Sequence, residues 1–161
     1  MRNEAEASRA LELYADTVRR ICFIHLKNHA DVEDVFQDVF MKYILYEQPF
    51  QSDAHEKAWL IRVAINASKD IHKNFFRRHF TSFDERYNEP FYLLEHESSV
   101  LSAVLRLPEK YRDVIYLHYY EGYSAVEIAK ILGKKENTIY TWLDRARKKL
   151  KEMLGGELDG I

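Results

Sequence analysis

Residues 123–150, YSAVEIAKILGKKENTIYTWLDRARKKL, predict two helices joined by a tight turn. Ser124 and Glu127 have the S-x-x-E spacing of a capping box, in which each side chain accepts a hydrogen bond from the other residue's backbone N–H. The apolar residues that follow Ala125 at helical spacing predict one buried stripe. Gly133 is typical of a residue that ends a helix in the left-handed conformation. The pattern therefore indicates a helix-turn-helix.

The second of these helices combines an apolar face with a polar and basic face. Its apolar stripe is Ile139, Leu143, Ala146 and Leu150. The opposite face carries Asn137, Tyr140, Thr141, Asp144, Arg145 and Lys148, and the last turns add Arg147, Lys149 and Lys151. Short polar side chains early in such a helix suit base edges, and later basic ones suit phosphates. We therefore expect this helix to lie against DNA. The alternative is an ordinary helical hairpin with a solvated basic end.

The length and amino-acid composition are those of a packed, helical protein: 161 residues, 47% of them hydrophobic, with five Gly and three Pro. A net charge of −2 argues against bulk attraction to nucleic acid, so local charge clusters must supply any such contact. The single cysteine, Cys22, excludes an internal disulfide and favours a reducing cytoplasm. There is no apolar run of about 20 residues and no signal-peptide block, so we expect a cytoplasmic protein without membrane insertion.

Residues 31–46, DVEDVFQDVFMKYILY, form the most regular helical pattern in the chain, after a first helix expected at about residues 5–28. We expect Leu11 and Tyr14 on the inner face of that first helix. The opposite face of residues 31–46 is acidic. It carries Glu33, Asp34, Gln37 and Asp38, with Asp31 in the first turn. This face is either a docking surface or simply a solvated one.

A loop at residues 47–54, which contains Phe50, precedes a core helix predicted from about His55 to about Phe76. One polar line remains on that helix at helical spacing: Arg62, Asn66, Lys69, Asp70, Lys73 and Arg77. It ends in the basic and aromatic residues 73–80, KNFFRRHF. Cations beside aromatic rings suit single-stranded nucleic acid. The alternative is that these rings belong to the core.

Residues 81–97 lose the helical period, contain Pro90 and are rich in acids, which indicates a flexible linker. A helix from Ser98 or Ser99 to about Arg106 follows, and then another from Pro108 to Gly122. The expected fold is therefore all-α, with two small helical domains at residues 1–80 and 98–161.

The residues offer no enzyme chemistry. His25 and His29 are four positions apart, yet no further Cys or His at a usual spacing completes a metal site. There is no phosphate-binding Gly-rich loop, nucleophile elbow or catalytic triad pattern. We therefore expect no catalysis, no metal and no cofactor.

Together the elements resemble a bacterial sigma factor of the extracytoplasmic-function (ECF) type, over nearly the whole chain. DVEDVFQDVF is similar to the family's D-x-E-D acidic helix, and AWLIRVAINASKD to its W-L-x-R-[IV]-A-x-N segment. LPEKYRDVIYLHYYEGYSAVEIAKILG is similar to its L-P-x-x-x-R-x-V helix followed by the paired helices. The last helix matches T-[hydrophobic]-x-x-x-L-x-R-A-R-x-x-L. Tyr140 and Trp142, where many members carry Lys or Arg, and Asp144 depart from the family pattern.

The resemblance implies partners and roles: core RNA polymerase, promoter DNA and a regulating anti-sigma factor. Docking on the clamp helices of the largest catalytic polymerase subunit would involve Asp31, Glu33, Asp34, Gln37 and Asp38. Capture of a flipped base and contact with the −10 strand would involve Phe50, Gln51, Arg62, Asn66, Lys69, Lys73 and Arg77. Reading of the −35 element would involve Asn137, Thr138, Tyr140, Thr141, Arg145 and Lys148.

Two other classes of protein stay open. A DNA-binding regulator should bind duplex DNA by itself. A sigma-like adaptor should bind polymerase without starting transcription.

Overall fold

The computed structural model describes residues 1–26, 28–73 and 99–155, with the backbone alone at residues 72 and 73. In this part of the chain every regular element is a helix. The chain divides into an N-terminal unit, Met1–Tyr92, and a C-terminal unit, Leu93–Ile161. The predicted all-α fold with two helical bodies is therefore confirmed. The linker predicted at residues 81–97 and the domain limits beside it lie outside the described residues.

Three helices form the described part of the N-terminal unit: α1 (Glu4–Leu26), α2 (His29–Leu45) and α3 (Asp53–Lys73). Each packs against the other two. Their shared core includes the fully buried side chains of Val18, Ile21, Val32, Val39, Tyr43, Leu60 and Ile61. Burial of such side chains stabilises each by about 1.5–3 kcal/mol relative to exposure, which makes this core the main support of the unit.

Local capping determines where two of these helices begin. The Asn28 side chain accepts a hydrogen bond from the Asp31 N–H and caps α2. The Ser52 hydroxyl accepts one from the His55 N–H, at 3.1 Å, so that α3 starts at Asp53, slightly before the predicted start. The expectation for Leu11 was wrong. It is 39% exposed, because α1 turns Ala10 toward the core instead, whereas Tyr14 is buried as expected.

The C-terminal unit contains α4 (Ser99–Leu105), α5 (Glu109–Ile115), α6 (Ala125–Leu132) and α7 (Glu136–Leu154). A π-helical turn, Tyr116–Tyr120, continues α5. The long helix α7 packs against α4, α5 and α6, so it organises the unit.

The α6–α7 pair is built as its sequence predicts. The Ser124 hydroxyl accepts from the Glu127 N–H at 3.2 Å, and the Glu127 carboxylate accepts from the Ser124 N–H at 3.0 Å. These hydrogen bonds lower the pKa of Glu127. Gly133 ends α6 with φ 66°, a left-handed conformation that glycine adopts without a side-chain clash. Local capping therefore determines where α6 begins and ends.

Two polar residues of α5 are buried, which the helical pattern did not indicate. Arg112 and Asp113 are 9% and 4% exposed. The Arg112 guanidinium donates to the carbonyl oxygen of Leu105, the last residue of α4, at 3.3 Å. This bond satisfies a carbonyl at a helix end that would otherwise lack a donor.

Among residues 1–26, 28–73 and 99–155, none of the helices combines the length and apolar character required to cross a lipid bilayer. The same described residues contain no cluster of three His, Cys, Asp or Glu side chains suited to a metal ion.

Candidate nucleic-acid and partner interfaces

The outer face of α7 is a continuous polar surface. Its apolar stripe, Ile139, Leu143, Ala146 and Leu150, is at most 2% exposed. The side opposite this stripe presents the exposed residues Asn137, Tyr140, Thr141, Arg145 and Lys148. Thr138 is half-buried at the margin. The structure therefore brings the predicted −35 residues together on one side of one helix, with its other side sealed by the unit's own core.

Hydrogen bonds and an ion pair already order part of this face. The Thr141 hydroxyl donates to the Asn137 carbonyl oxygen at 2.9 Å, which fixes the Thr141 rotamer. The Asp144 carboxylate lies 3.0 Å from the Lys148 ammonium, one turn further along the helix. Lys148 therefore has an acidic neighbour within its own helix.

Arg147 does not belong to the outer face. Its Nε donates to the Tyr119 hydroxyl at 2.7 Å, and its guanidinium lies 5.7 Å from the Tyr119 ring centroid. Tyr119 comes from the π-helical turn, so this pair ties α7 to the end of α5. The expectation that Arg147 binds phosphate was drawn from the local charge pattern, which contains no sign of the Tyr119 contact.

Basic residues in and beside the α6–α7 turn were missed as candidates. Lys130, Lys134 and Lys135 line a concavity of about 440 Å³ that also includes Glu136 and Asn137. In the sequence, the Lys-Lys pair directly after Gly133 indicates this basic surface, because it places two cations beside the first turn of α7. The turn and the early part of α7 thus form one surface with both cationic and hydrogen-bonding groups.

The predicted acidic face of α2 lies on the surface. Asp34, Gln37 and Asp38 are exposed, while Asp31 and Glu33 are half-buried. Glu33 and Asp38 have ion-pair partners in the same unit. Arg19 binds Glu33 at 3.0 Å, and Lys42 lies 3.0 Å from Asp38.

Two apolar side chains extend this acidic face. Met41 and Leu45 are 56% and 60% exposed. They lie seven positions after Asp34 and Asp38 respectively, which is two helical turns, so they fall on the same side of α2. Neither residue falls on the buried stripe of α2, and this position indicates their exposure in the sequence. The stripe is Val32, Val35, Phe36, Val39, Phe40 and Tyr43. We call Asp34, Gln37, Asp38, Met41 and Leu45 the α2 outer face.

The segment between α2 and α3, residues 46–52, surrounds an aromatic cluster. The Phe50 ring stacks on Tyr46 with centroids 5.5 Å apart, and it lies 5.6 Å from Trp59. It is parallel to the Tyr43 ring within 2°, at 6.2 Å. Phe50 is consequently half-buried, whereas its neighbour Gln51 is exposed. Phe50 therefore forms a wall of this segment, and Gln51 presents its side chain outward.

Below this cluster lies a buried carboxylate. Glu56 is 6% exposed and accepts hydrogen bonds from the Tyr43 hydroxyl, at 2.8 Å, and from Arg9, at 3.0 Å. Burial, and then the bond to Glu56, raises the pKa of Tyr43 to about 12. The bonds to Asp53 and Glu56 raise the pKa of Arg9. The network connects all three helices beneath residues 46–52.

The polar line of α3 is present on the surface as far as the structure describes it. Arg62 and Asn66 are exposed and Lys69 is half-buried, at helical spacing along one side. The side chain of Lys73 and the whole of Arg77 lie outside the described residues. The line starts nearly three turns after residues 46–52, so the two candidate −10 surfaces belong to consecutive parts of the chain.

Two family profiles match this chain. The one described as "Sigma-70 region 2" matches residues 10–79, and the one described as "Sigma-70, region 4" matches residues 97–150. The ECF RNA polymerase sigma factor SigW of Bacillus subtilis is 25% identical over 161 residues, covering 89% of this chain and 86% of SigW. The RNA polymerase sigma factor SigZ of the same organism is 29% identical over 133 residues, covering 78% of this chain and 73% of SigZ.

Solved structures share the fold. The sigma factor RpoE from Bartonella quintana, crystallised with the anti-sigma factor NepR, has a TM-score of 0.73 at 22% identity, over 94% of this chain and 98% of that one. CnrH, in complex with the cytosolic domain of CnrY, has a TM-score of 0.69 at 22% identity, over 97% and 92%. The two profiles cover the two helical units in order and together account for most of the residues. The chain therefore belongs to the sigma-70 family, as an RNA polymerase sigma factor of the ECF type that acts in transcription initiation.

Proposed function

We propose that the N-terminal unit docks on core RNA polymerase and opens the −10 element, while the C-terminal unit reads the −35 element. The domain limits in this proposal are residues 1–80 and 98–161. The observation that carries it is the outer face of α7, which is polar from Asn137 to Lys148 while the opposite face is sealed in the core. In this proposal the protein has no catalysis of its own and acts in the cytoplasm with polymerase.

The α2 outer face is the proposed polymerase contact. Asp34 and Asp38 supply negative charge beside Met41 and Leu45, a combination that suits a basic helical surface with apolar side chains. The half-buried Asp31 and Glu33 would contribute mainly to the charge of this region.

Residues 46–52 and the α3 line are the proposed −10 site. Gln51, Arg62 and Asn66 are exposed and can reach bases or phosphates, with the half-buried Lys69 beside them. Lys73 and Arg77 follow at the same spacing in the sequence and are included in the proposal. Phe50 would serve as one wall of the site that receives a flipped base. A base stacked on an aromatic ring gains about 1–3 kcal/mol. This is comparable with the few kcal/mol that flipping costs, so binding unpaired bases shifts the equilibrium toward open DNA.

The first three turns of α7 are the proposed −35 reader. Asn137, Thr141 and Arg145 lie nearest the bases in this docking, with Tyr140 and Thr138 beside them. Lys148 and the lysines of the α6–α7 turn would contact phosphates. Each unit alone then has modest affinity. When polymerase holds both units, binding of one unit to its element raises the effective concentration of the other unit at the second element, so the combined affinity for the promoter is higher.

An anti-sigma factor is a further proposed partner. Two of the solved structures similar in fold are complexes with NepR and with the cytosolic domain of CnrY. The exposed Met41 and Leu45 support such a partner, because exposed apolar side chains beside charges are typical of protein contacts. An anti-sigma factor that covers the α2 outer face would compete directly with polymerase.

The −10 assignment can be tested with Gln51→Ala and Arg62→Ala in complex with core polymerase. Opening is followed by the fluorescence of 2-aminopurine placed in the −10 element. We expect less open complex for both variants with unchanged polymerase affinity, because both side chains are exposed and neither belongs to the α2 outer face. Ser8→Ala, an exposed position on α1, is the control. Wild-type opening in both variants would reject this assignment.

A further inference from the structure

The residues before α1 lie against the segment between α2 and α3. The Asn3 side chain caps α1 by accepting from the Glu6 N–H at 2.9 Å, and the Glu6 carboxylate accepts from the Asn3 N–H at 3.0 Å. The Arg2 backbone N–H donates to the Ile44 carbonyl oxygen at 2.9 Å. Residue 2 is therefore held by its own helix on one side and by the end of α2 on the other.

The Arg2 side chain makes three contacts with the proposed −10 site at once. Its guanidinium carbon lies 4.7 Å from the Phe50 ring centroid and 4.9 Å from the Tyr43 ring centroid. Its Nη2 donates to the Gln48 carbonyl oxygen at 2.7 Å. Only 13% of this side chain is exposed. A planar guanidinium can stack flat against an aromatic face and donate at its edge at the same time, whereas an ammonium group has no plane to stack.

A second arginine holds the other end of the segment. Arg9 lies 2.6 Å from Asp53 and 3.0 Å from Glu56, at the start of α3. The Tyr14 hydroxyl adds a hydrogen bond to the Asp53 carbonyl oxygen at 3.2 Å. Contacts from α1 and the residues before it thus hold both ends of residues 46–52.

We propose that Arg2 is a positioning residue that holds residues 46–52 in the conformation that receives a −10 base, with Arg9 holding the opposite end. This inference rests on the function proposed above for these residues. Ordering a chain segment costs conformational entropy, and a segment that is already ordered does not add this cost at the moment of binding. The segment's selectivity between bases then depends on Arg2, although Arg2 need not touch the DNA.

The test measures base discrimination by the complex of this chain with core polymerase. A single-stranded −10 oligonucleotide is compared with one substituted at the captured base, for wild type, Arg2→Ala, Arg2→Lys and the control Arg20→Ala. Arg20 is an exposed arginine of α1. We expect Arg2→Ala to lose about tenfold in the affinity ratio, equivalent to about 1.4 kcal/mol. Arg2→Lys should recover only part of this loss, because lysine keeps the positive charge but lacks the planar guanidinium group. Arg20→Ala should match wild type.

The midpoint of thermal unfolding and the polymerase affinity of each variant distinguish a positioning role from a general contribution to stability. Unchanged values beside a reduced affinity ratio support the inference. Should Arg2→Ala be too unstable to assay, the ratio for Arg2→Lys decides, and full wild-type discrimination there overturns the inference. Full discrimination by a stable Arg2→Ala variant likewise overturns it, while the function of residues 46–52 stands. A wild-type complex that does not discriminate at all overturns that function, and this inference with it.

Discussion

The Asp144 carboxylate lies 3.0 Å from the Lys148 ammonium on the outer face of α7. The two residues are one helical turn apart, and both side chains are largely exposed. Exposed pairs of this kind stabilise a protein by about 0–1 kcal/mol, so this one adds little to the fold. Its main effect is on the charge that α7 presents to DNA, because it partly neutralises a lysine on the proposed −35 surface.

Replacing Asp144 with Asn should strengthen binding of −35 duplex DNA by the polymerase complex. We expect an increase of about two- to fivefold near physiological salt, since Lys148 becomes available and a repulsive carboxylate is removed. The slope of log affinity against log salt should become steeper by about 1. Fluorescence anisotropy across a salt series measures both. Glu152→Gln, an exposed acid further along the same helix, is the control, and an identical salt slope for Asp144→Asn and wild type would contradict the prediction.

Charge reversal on the α2 outer face should weaken the polymerase complex. We expect Asp34→Lys combined with Asp38→Lys to lower the affinity at least about tenfold at low salt, with a smaller difference at high salt. Biolayer interferometry with immobilised core polymerase measures the effect. Glu12→Lys reverses an exposed acid on α1 and should bind as wild type does. Equal affinity for the double variant and this control would remove α2 from the interface.

Cys22 should resist thiol reagents while the protein is folded. Its side chain is fully buried, and burial raises the pKa of the thiol to about 12, so very little thiolate exists near neutral pH. Reaction with Ellman's reagent should be slow in buffer and rapid in guanidinium chloride. A Ser8→Cys variant adds an exposed thiol and should show one fast equivalent in buffer. Fast, stoichiometric labelling of the native wild type would mean that the α1–α3 core opens readily.

The hydrogen bond from Tyr43 to Glu56 should contribute to stability in a pH-dependent way. Below about pH 10 the tyrosine is protonated both folded and unfolded, and Tyr43→Phe should cost about 1–2 kcal/mol through the lost bond. Between about pH 10 and 12 the unfolded chain loses this proton while the folded protein retains it. Wild-type stability should therefore fall with pH over this window more steeply than that of Tyr43→Phe.

Denaturant unfolding followed by circular dichroism at pH 7.5 and pH 10.5 measures both effects. Tyr140→Phe removes an exposed hydroxyl and should leave the free energy of unfolding unchanged at pH 7.5. Parallel pH profiles for wild type and Tyr43→Phe would show that the Tyr43 proton is not linked to folding.

Features encoded by neighbouring residues could be predicted from the sequence. The capping box of Ser124 and Glu127 and the left-handed Gly133 involve short spacings, and the structure contains them as expected. The same holds for the buried stripes of α2 and α7. The π-helical turn could not be predicted in this way, because Tyr116–Tyr120 continues the periodicity of α5 and the extra residue in the turn leaves no local signature.

Contacts between distant residues could not be predicted. Arg2 and Gln48 are 46 positions apart, and nothing in the pattern of either segment indicates that they meet. For the same reason Phe50 was expected as a loop aromatic, without the stack on Tyr46 and the edge contact with Trp59 that make it half-buried. The candidate surfaces could thus be located from periodicity, whereas the side chains that shape them required tertiary structure.

Run-off transcription over a promoter library, with core polymerase alone and with this chain added, tests whether the chain directs polymerase to promoters through a −10 and a −35 element. We expect RNA from a subset of promoters that share both a −10 and a −35 element, and only when this chain and polymerase are both present. RNA no higher than with core polymerase alone would contradict it.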